Sequence, residues 1–107
     1  ASYEAQYIDR FRRDVEEAGT RNFPARALTE QAFGKVRLMV ALEDDGSVHA
    51  IKVLRSSGHD FLDKAAMRSV RLAAPFGGFP EEMRGKVDRL EIIRTWRFNP
   101  REVMTSE

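Results

Sequence analysis

The sequence contains no cysteine, which excludes a disulfide framework, a thiolate metal site and a cysteine nucleophile. It has no run approaching the ~20 apolar residues that a bilayer-spanning helix requires. It also lacks an excess of charge of one sign. Eighteen Lys and Arg against seventeen Asp and Glu leave a formal net charge of +1. Nucleic-acid binding normally needs a cationic excess or a clustered basic stripe. The arginines here are spread along the chain, so no nucleic-acid partner is expected. Histidine is scarce. His49 and His59 have no second imidazole or carboxylate at a ligand spacing such as i, i+4 on one helix, so neither a metal nor a cofactor is expected.

Groupings that suggest catalysis do not survive inspection. Ser56, Ser57, His59 and Asp60 lie within five residues, whereas a catalytic triad converges from distant segments so that each member can hydrogen-bond the next. They read as turn and helix-cap chemistry. Asp44, Asp45 and Gly46 lack the remaining positions of a calcium loop. Gly77-Gly78 lacks the following Lys-Ser/Thr and the preceding buried strand of a phosphate loop. Glu81 and Glu82 are adjacent and cannot face each other across a substrate. Trp96 and Phe98, without a basic groove, read as core rather than as a base-stacking platform. The chain reads as a binding module and not an enzyme.

What is present is one domain's worth of ordinary globular sequence: 107 residues, 42% apolar and 33% charged. Tyr3, Tyr7, Phe11, Val15 and Ala18 make one apolar stripe, predicting an N-terminal helix that stops near Gly19. Asn22-Phe23-Pro24 breaks it, and Pro24 can open a short helix through Leu28. From Lys35 to Glu43 apolar residues alternate, with Val36, Leu38, Val40 and Leu42 on one face. Asp45-Gly46 predicts a two-residue hairpin turn. That turn sets Val40 opposite Ile51, Leu38 opposite Val53 and Leu42 opposite His49, so the apolar faces meet in register.

Asp60 is the expected N-cap of a second long helix reaching about Ala74, with Phe61, Leu62, Ala65, Ala66, Val70 and Ala73 inward. Pro75 stops it, Phe76 to Pro80 is an apolar turn, and Glu81 to Arg84 can hold a helical turn. A last strand spans about Asp88 to Phe98, with Leu90, Ile92, Trp96 and Phe98 on one parity and Arg94 interrupting it. The order helix, hairpin, helix, strand predicts an α+β domain. Its two layers are a three-stranded antiparallel sheet and two helices on one face. The domain is expected over residues 1–98, with residues 1–21 as the N-terminal helix, 22–98 as the core and 99–107 as a flexible tail. The third strand can join only one side of the hairpin, which leaves it as an edge with unpaired main-chain groups.

Several of these features, in this order, resemble the C-terminal domain of the TonB family. The matching pieces are Asn22-Phe23-Pro24-Ala25-Arg26-Ala27, Gly34, Asp45-Gly46-Ser47-Val48 and Val53-Leu54-Arg55-Ser56-Ser57-Gly58. They continue with Leu62-Asp63-Lys64-Ala65-Ala66, Ala74-Pro75-Phe76 with Phe79-Pro80, and Thr95-Trp96-Arg97-Phe98. Together they run from about residue 22 to residue 98. Many members have a tyrosine at the position of Phe23, and a glycine where this chain reads Thr29-Glu30-Gln31.

The resemblance implies a periplasmic domain of an inner-membrane protein whose anchor and linker lie outside these residues. Such a domain works with a proton-driven motor complex and grasps the TonB box of an outer-membrane transporter, supporting uptake of iron-siderophores or similar nutrients. It places the box beside the last strand. The expected contacts are therefore Leu90, Ile92, Ile93, Arg94, Thr95, Trp96, Arg97, Phe98 and Asn99, with Asn22, Phe23, Pro24 and Arg26 as secondary contacts. A swapped homodimer is a further expectation if the terminal strand is poorly tethered. The alternative is a TonB-like or TolA-like envelope module serving a different machine, such as a sensor, a pilus-associated or an envelope-integrity assembly.

Overall fold

A computed structural model describes residues 2–107, in which α1 (Tyr3–Arg21), α2 (Ala25–Thr29), β1 (Gly34–Glu43), β2 (Val48–Arg55), α3 (Asp60–Ala73), α4 (Glu81–Arg84), β3 (Arg89–Asn99) and β4 (Val103–Ser106) follow one another. The Oγ of Ser2 caps α1 by accepting from the Ala5 N–H at 3.0 Å. Tyr7, Phe11, Val15 and Gly19 recur every four residues and form its buried face. The helix runs past Gly19 to Arg21, because Asn22 caps it: both its N–H and its side-chain amide donate to the Ala18 carbonyl. Beyond α2, Gln31 takes the left-handed conformation itself, at φ 51°, where a glycine would be unstrained. The Ala32 N–H donates back to the Ala27 carbonyl to close that helix end.

The four strands form one antiparallel sheet in the order β2-β1-β3-β4. The expected hairpin register holds at its centre, with Val40 opposite Ile51 and Leu38 opposite Val53. Its tip differs. The Gly46 N–H donates to the Glu43 carbonyl, the Glu43 N–H donates to Ser47, and only Gly46 has positive φ, at 85°. The connection is thus a three-residue loop with glycine in the left-handed position rather than a two-residue turn. A bulge beside it brings Leu42 opposite Val48 instead of His49. Asp60 is the first residue of α3 rather than its cap, which is His59.

The largest correction concerns the C-terminus. Residues 103–106, expected to lie in a flexible tail, form β4 against the end of β3, so the sheet has four strands and not three. An Asn99–Glu102 turn, closed by the Glu102 N–H on the Asn99 carbonyl, reverses the chain. Met104 is then driven into the core, where it is 2% exposed. Gly19 on α1 makes room for it. A Cβ there would lie 1.9 Å from the Met104 Sδ. The Thr20 hydroxyl accepts from the Met104 N–H at 3.0 Å, and the Ser106 hydroxyl donates to Glu16 at 2.6 Å.

α1 and α3 pack together on one face of the sheet. Phe11 sits at the centre, 4.7 Å from the Phe76 ring and 6.0 Å from Trp96 between centroids. The Phe76–Pro80 loop is fastened to the hairpin tip. Phe76 and Phe79 donate their N–H groups to the Gly46 and Asp44 carbonyls, and the Tyr7 hydroxyl donates to Gly77 at 2.7 Å. A Cβ on Gly46 would lie 2.2 Å from the Gly77 carbonyl oxygen, so only glycine permits that approach.

The Ser56-Ser57 loop is held from below by Asp63. This buried carboxylate accepts from the Ser56 hydroxyl, from the Ser57 hydroxyl at 2.7 Å and from the Ser57 N–H at 2.9 Å. Burial works to raise its pKa, but the hydrogen bonds from Ser56 and Ser57 outweigh it and hold the group below the usual carboxylate range. A carboxyl whose pKa is lowered by folding stabilises the protein above its unfolded value of ~3.9, and that stabilisation is lost as pH falls through the folded value. Asp63→Asn is therefore expected to cost about 2 kcal/mol at pH 7 and progressively less below pH 4, measured by urea unfolding at each pH. An equal loss at pH 7 and pH 3 would contradict this role.

Candidate functional site

β3 pairs with β1 over its whole length without a bulge, from Glu43 opposite Arg89 to Gly34 opposite Phe98. Main-chain groups of successive strand residues point to opposite edges. The Thr95 carbonyl accepts from Glu107 on the outer side at 2.9 Å. Odd-numbered residues of β3 therefore face outward and even-numbered ones bond to β1. β4 covers the outer side from Trp96 to Asn99. Upstream of it the N–H and C=O groups of Arg89, Glu91 and Ile93 point outward, with no strand paired to that side of them among the described residues. This is a short, bulge-free stretch of sheet edge.

The opposite edge is a poorer template. β2 carries an extra residue at each of two irregularities, between Arg37/Leu38 and between Ala41/Leu42 of its partner. Bulges twist an edge strand away from further pairing.

The residues expected at the site divide into groups. Leu90, Ile92, Trp96 and Phe98 point into the core and are buried; they hold the edge in place from behind. Ile93 and Arg97 point to the uncovered face of the sheet and are exposed. The half-buried Thr95 accepts from the Arg37 guanidinium at 3.1 Å. Arg94 breaks the apolar parity on the helical side, and its Nε is buried without a hydrogen-bond partner. Asn99 is a turn residue whose amide donates to the Val103 carbonyl and the Thr105 hydroxyl, both at 3.1 Å. From Thr95 to Asn99 the outward groups face β4 and Glu107, so a free row along all of Leu90–Asn99 is corrected to its first half.

Asn22, Phe23, Pro24 and Arg26 lie at the other end of β3. Asn22 caps α1, and Phe23 packs edge-on against Phe98 at 5.7 Å. Pro24 caps α2. The Arg26 guanidinium bonds Glu30 at 2.6 Å and lies 4.5 Å above the Phe61 ring. The structure does not bring these four to the open stretch. Arg89 and Glu91 were missed as site residues. Outward-facing amides follow from strand parity, but fixing that parity requires β4.

Compared with known proteins, residues 20–100 match the family described as Gram-negative bacterial TonB protein C-terminal. Over 83 residues the chain is 34% identical to Protein TonB of Haemophilus influenzae, covering 74% of this chain. It spans about 30% of that relative's length. Two solution structures of the Helicobacter pylori TonB C-terminal domain have the same fold. One, of residues 194–285, has a TM-score of 0.64 at 24% identity and covers 84% of this chain and 94% of that one. The other, of residues 179–285, has a TM-score of 0.66 at 22% identity, with 88% and 80% covered. The chain belongs to the TonB C-terminal family.

The parity assignment separates neighbouring positions. Ile92→Pro removes a donor directed at β1 and should cost about 3 kcal/mol or more. Ile93→Pro removes an outward donor and should cost less than half as much. Chemical denaturation of both variants decides; equal losses would overturn the assignment.

Proposed function

We propose that this chain is the periplasmic binding domain of a TonB-type energy transducer that captures the TonB box of an outer-membrane transporter by strand addition. The box would pair along Arg89–Ile93, just upstream of β4. The observation that carries this reading is a regular strand edge whose outward donors and acceptors have no strand beside them, in a chain of this family. A partner strand supplies main-chain hydrogen bonds, and specificity comes from the side chains flanking the row. The proton-driven inner-membrane motor would be engaged by other parts of the transducer. The work done would be nutrient uptake, for example of iron-siderophores.

Energetics favour a releasable contact. About five main-chain bonds at ~1 kcal/mol net each give roughly 5 kcal/mol before ordering costs. Binding on the order of micromolar or weaker follows once side-chain contacts are added. A ladder loaded along its strands shares force among all its bonds at once, as a cyclic puller requires.

β4 sets the limit of the row. Displacing it would expose Met104, and withdrawing such a side chain from the core costs about 2 kcal/mol. The captured segment therefore abuts β4 and leaves it in place.

Titration of a TonB-box peptide into the domain, followed by calorimetry, should give micromolar or weaker affinity. Ile93→Pro should lower it at least tenfold. Arg26→Ala, remote from the row, should change it less than twofold. Retained affinity in the proline variant would refute strand addition at this edge.

A further inference from the structure

The uncovered face of the sheet is electrostatically lopsided. At the end near the Ser56-Ser57 loop it carries Lys35 and Arg37 from β1, Lys52 and Arg55 from β2, and Arg97 from β3, all exposed. In the pairing register Arg37 stands directly opposite Arg55, and Lys35 directly opposite Arg97. Like charges directly opposite across antiparallel strands are destabilising, and here two such pairs are side by side.

Compensation is sparse. Lys35 reaches Glu107 at 3.4 Å, while Arg37 bonds only the neutral Thr95 hydroxyl. Arg37, Lys52, Arg55 and Arg97 have no carboxylate within ion-pair distance among the described residues. Elsewhere Arg12, Arg13, Arg21, Arg26, Lys64 and Arg89 each meet a carboxylate, and cations without one among the described residues, such as Arg10, Arg68 and Arg101, lie in different parts of the chain. A nearly neutral protein has thus gathered four cations without a carboxylate partner on one face of its sheet. Apolar side chains stand among these charges. Leu54 is 49% exposed at the β2 irregularity and Ile93 is 48% exposed on β3.

We propose that this face docks on an anionic membrane surface. Cations spread over three adjacent strands need a partner that offers phosphate groups across a plane, which a bilayer of anionic lipids does. A single acidic peptide would meet only one line of them. Leu54 and Ile93 enter the headgroup boundary between the charges, as apolar residues of interfacial elements do. Each Lys or Arg near such a surface strengthens binding about fivefold. The contact is therefore weak for a free domain and shortens the search of a domain confined between membranes. It uses the face of the sheet, which leaves the outer edge of β3 free for a strand.

The test is co-sedimentation of the domain with vesicles of phosphatidylglycerol and phosphatidylcholine, with pure phosphatidylcholine as control. Binding is expected only with phosphatidylglycerol at 50 mM salt, and should fall at least tenfold at 300 mM. The triple variant Arg37→Gln, Lys52→Gln, Arg55→Gln should lose about 100-fold in vesicle affinity. It should keep or raise its melting temperature, because it relieves repulsion. A variant with the same charge change on the helical side (Arg68→Gln, Arg71→Gln, Lys86→Gln) should lose less than fivefold.

No phosphatidylglycerol binding at low salt would overturn the proposal. So would equal losses in both variants, or binding of soluble polyglutamate at this face without vesicle binding. TonB-box affinity, unchanged in either variant, reports separately on the strand-capture reading.

Discussion

Where the open edge begins is decided by one packing contact, Met104 seated over Gly19. Because the glycine leaves space that any side chain would fill, Met104 enters the core and fixes the register of β4. The Thr20 and Ser106 hydrogen bonds to the same stretch secure it. Trp96 is consequently the last β3 residue paired with β4. Just upstream the Thr95 carbonyl still accepts from Glu107, and before it the outward groups of Arg89, Glu91 and Ile93 have no strand beside them among the described residues. A larger residue at position 19 would lift β4 and lengthen the open row, at the cost of an exposed methionine.

The rest of the fold keeps that row regular. β3 is backed by β1 along its full length and anchored from behind by Leu90, Ile92, Trp96 and Phe98, all buried. β2, with two irregularities, is the edge less suited to accept a partner. Under the proposed strand capture, the β3 template would meet a flexible guest with modest net affinity built from many small terms.

Much of this could be read from residues alone. Alternation from Lys35 to Glu43 and the apolar stripe of α1 located the core faces, because both patterns are dense and uninterrupted. The centre of the hairpin followed from matching apolar positions, yet its tip did not: Asp45-Gly46 is compatible with more than one loop length, and a bulge absorbs the difference. β4 was missed because Val103, Met104, Thr105 and Ser106 are too few to show a period. Its signals, Asn99-Pro100 as a turn and Gly19 as a cavity for Met104, lie 80 residues apart in Gly19 and Asn99 and meaningfully combine only in three dimensions. The Asn22–Arg26 segment stood out by resemblance, and its side chains prove to be engaged in capping, core packing and an ion pair.

The central claim is that an extended guest lies against the upstream half of β3. Residues whose main-chain groups point to β1 turn their Hα atoms to the outer edge, so Leu90 and Ile92 present theirs to the guest. Isotope-filtered nuclear Overhauser spectra of the domain with a TonB-box peptide test this most directly. The account predicts contacts from peptide main-chain protons to the Hα atoms of Leu90 and Ile92. Contacts to β2 or to α3, with none along β3, would contradict it.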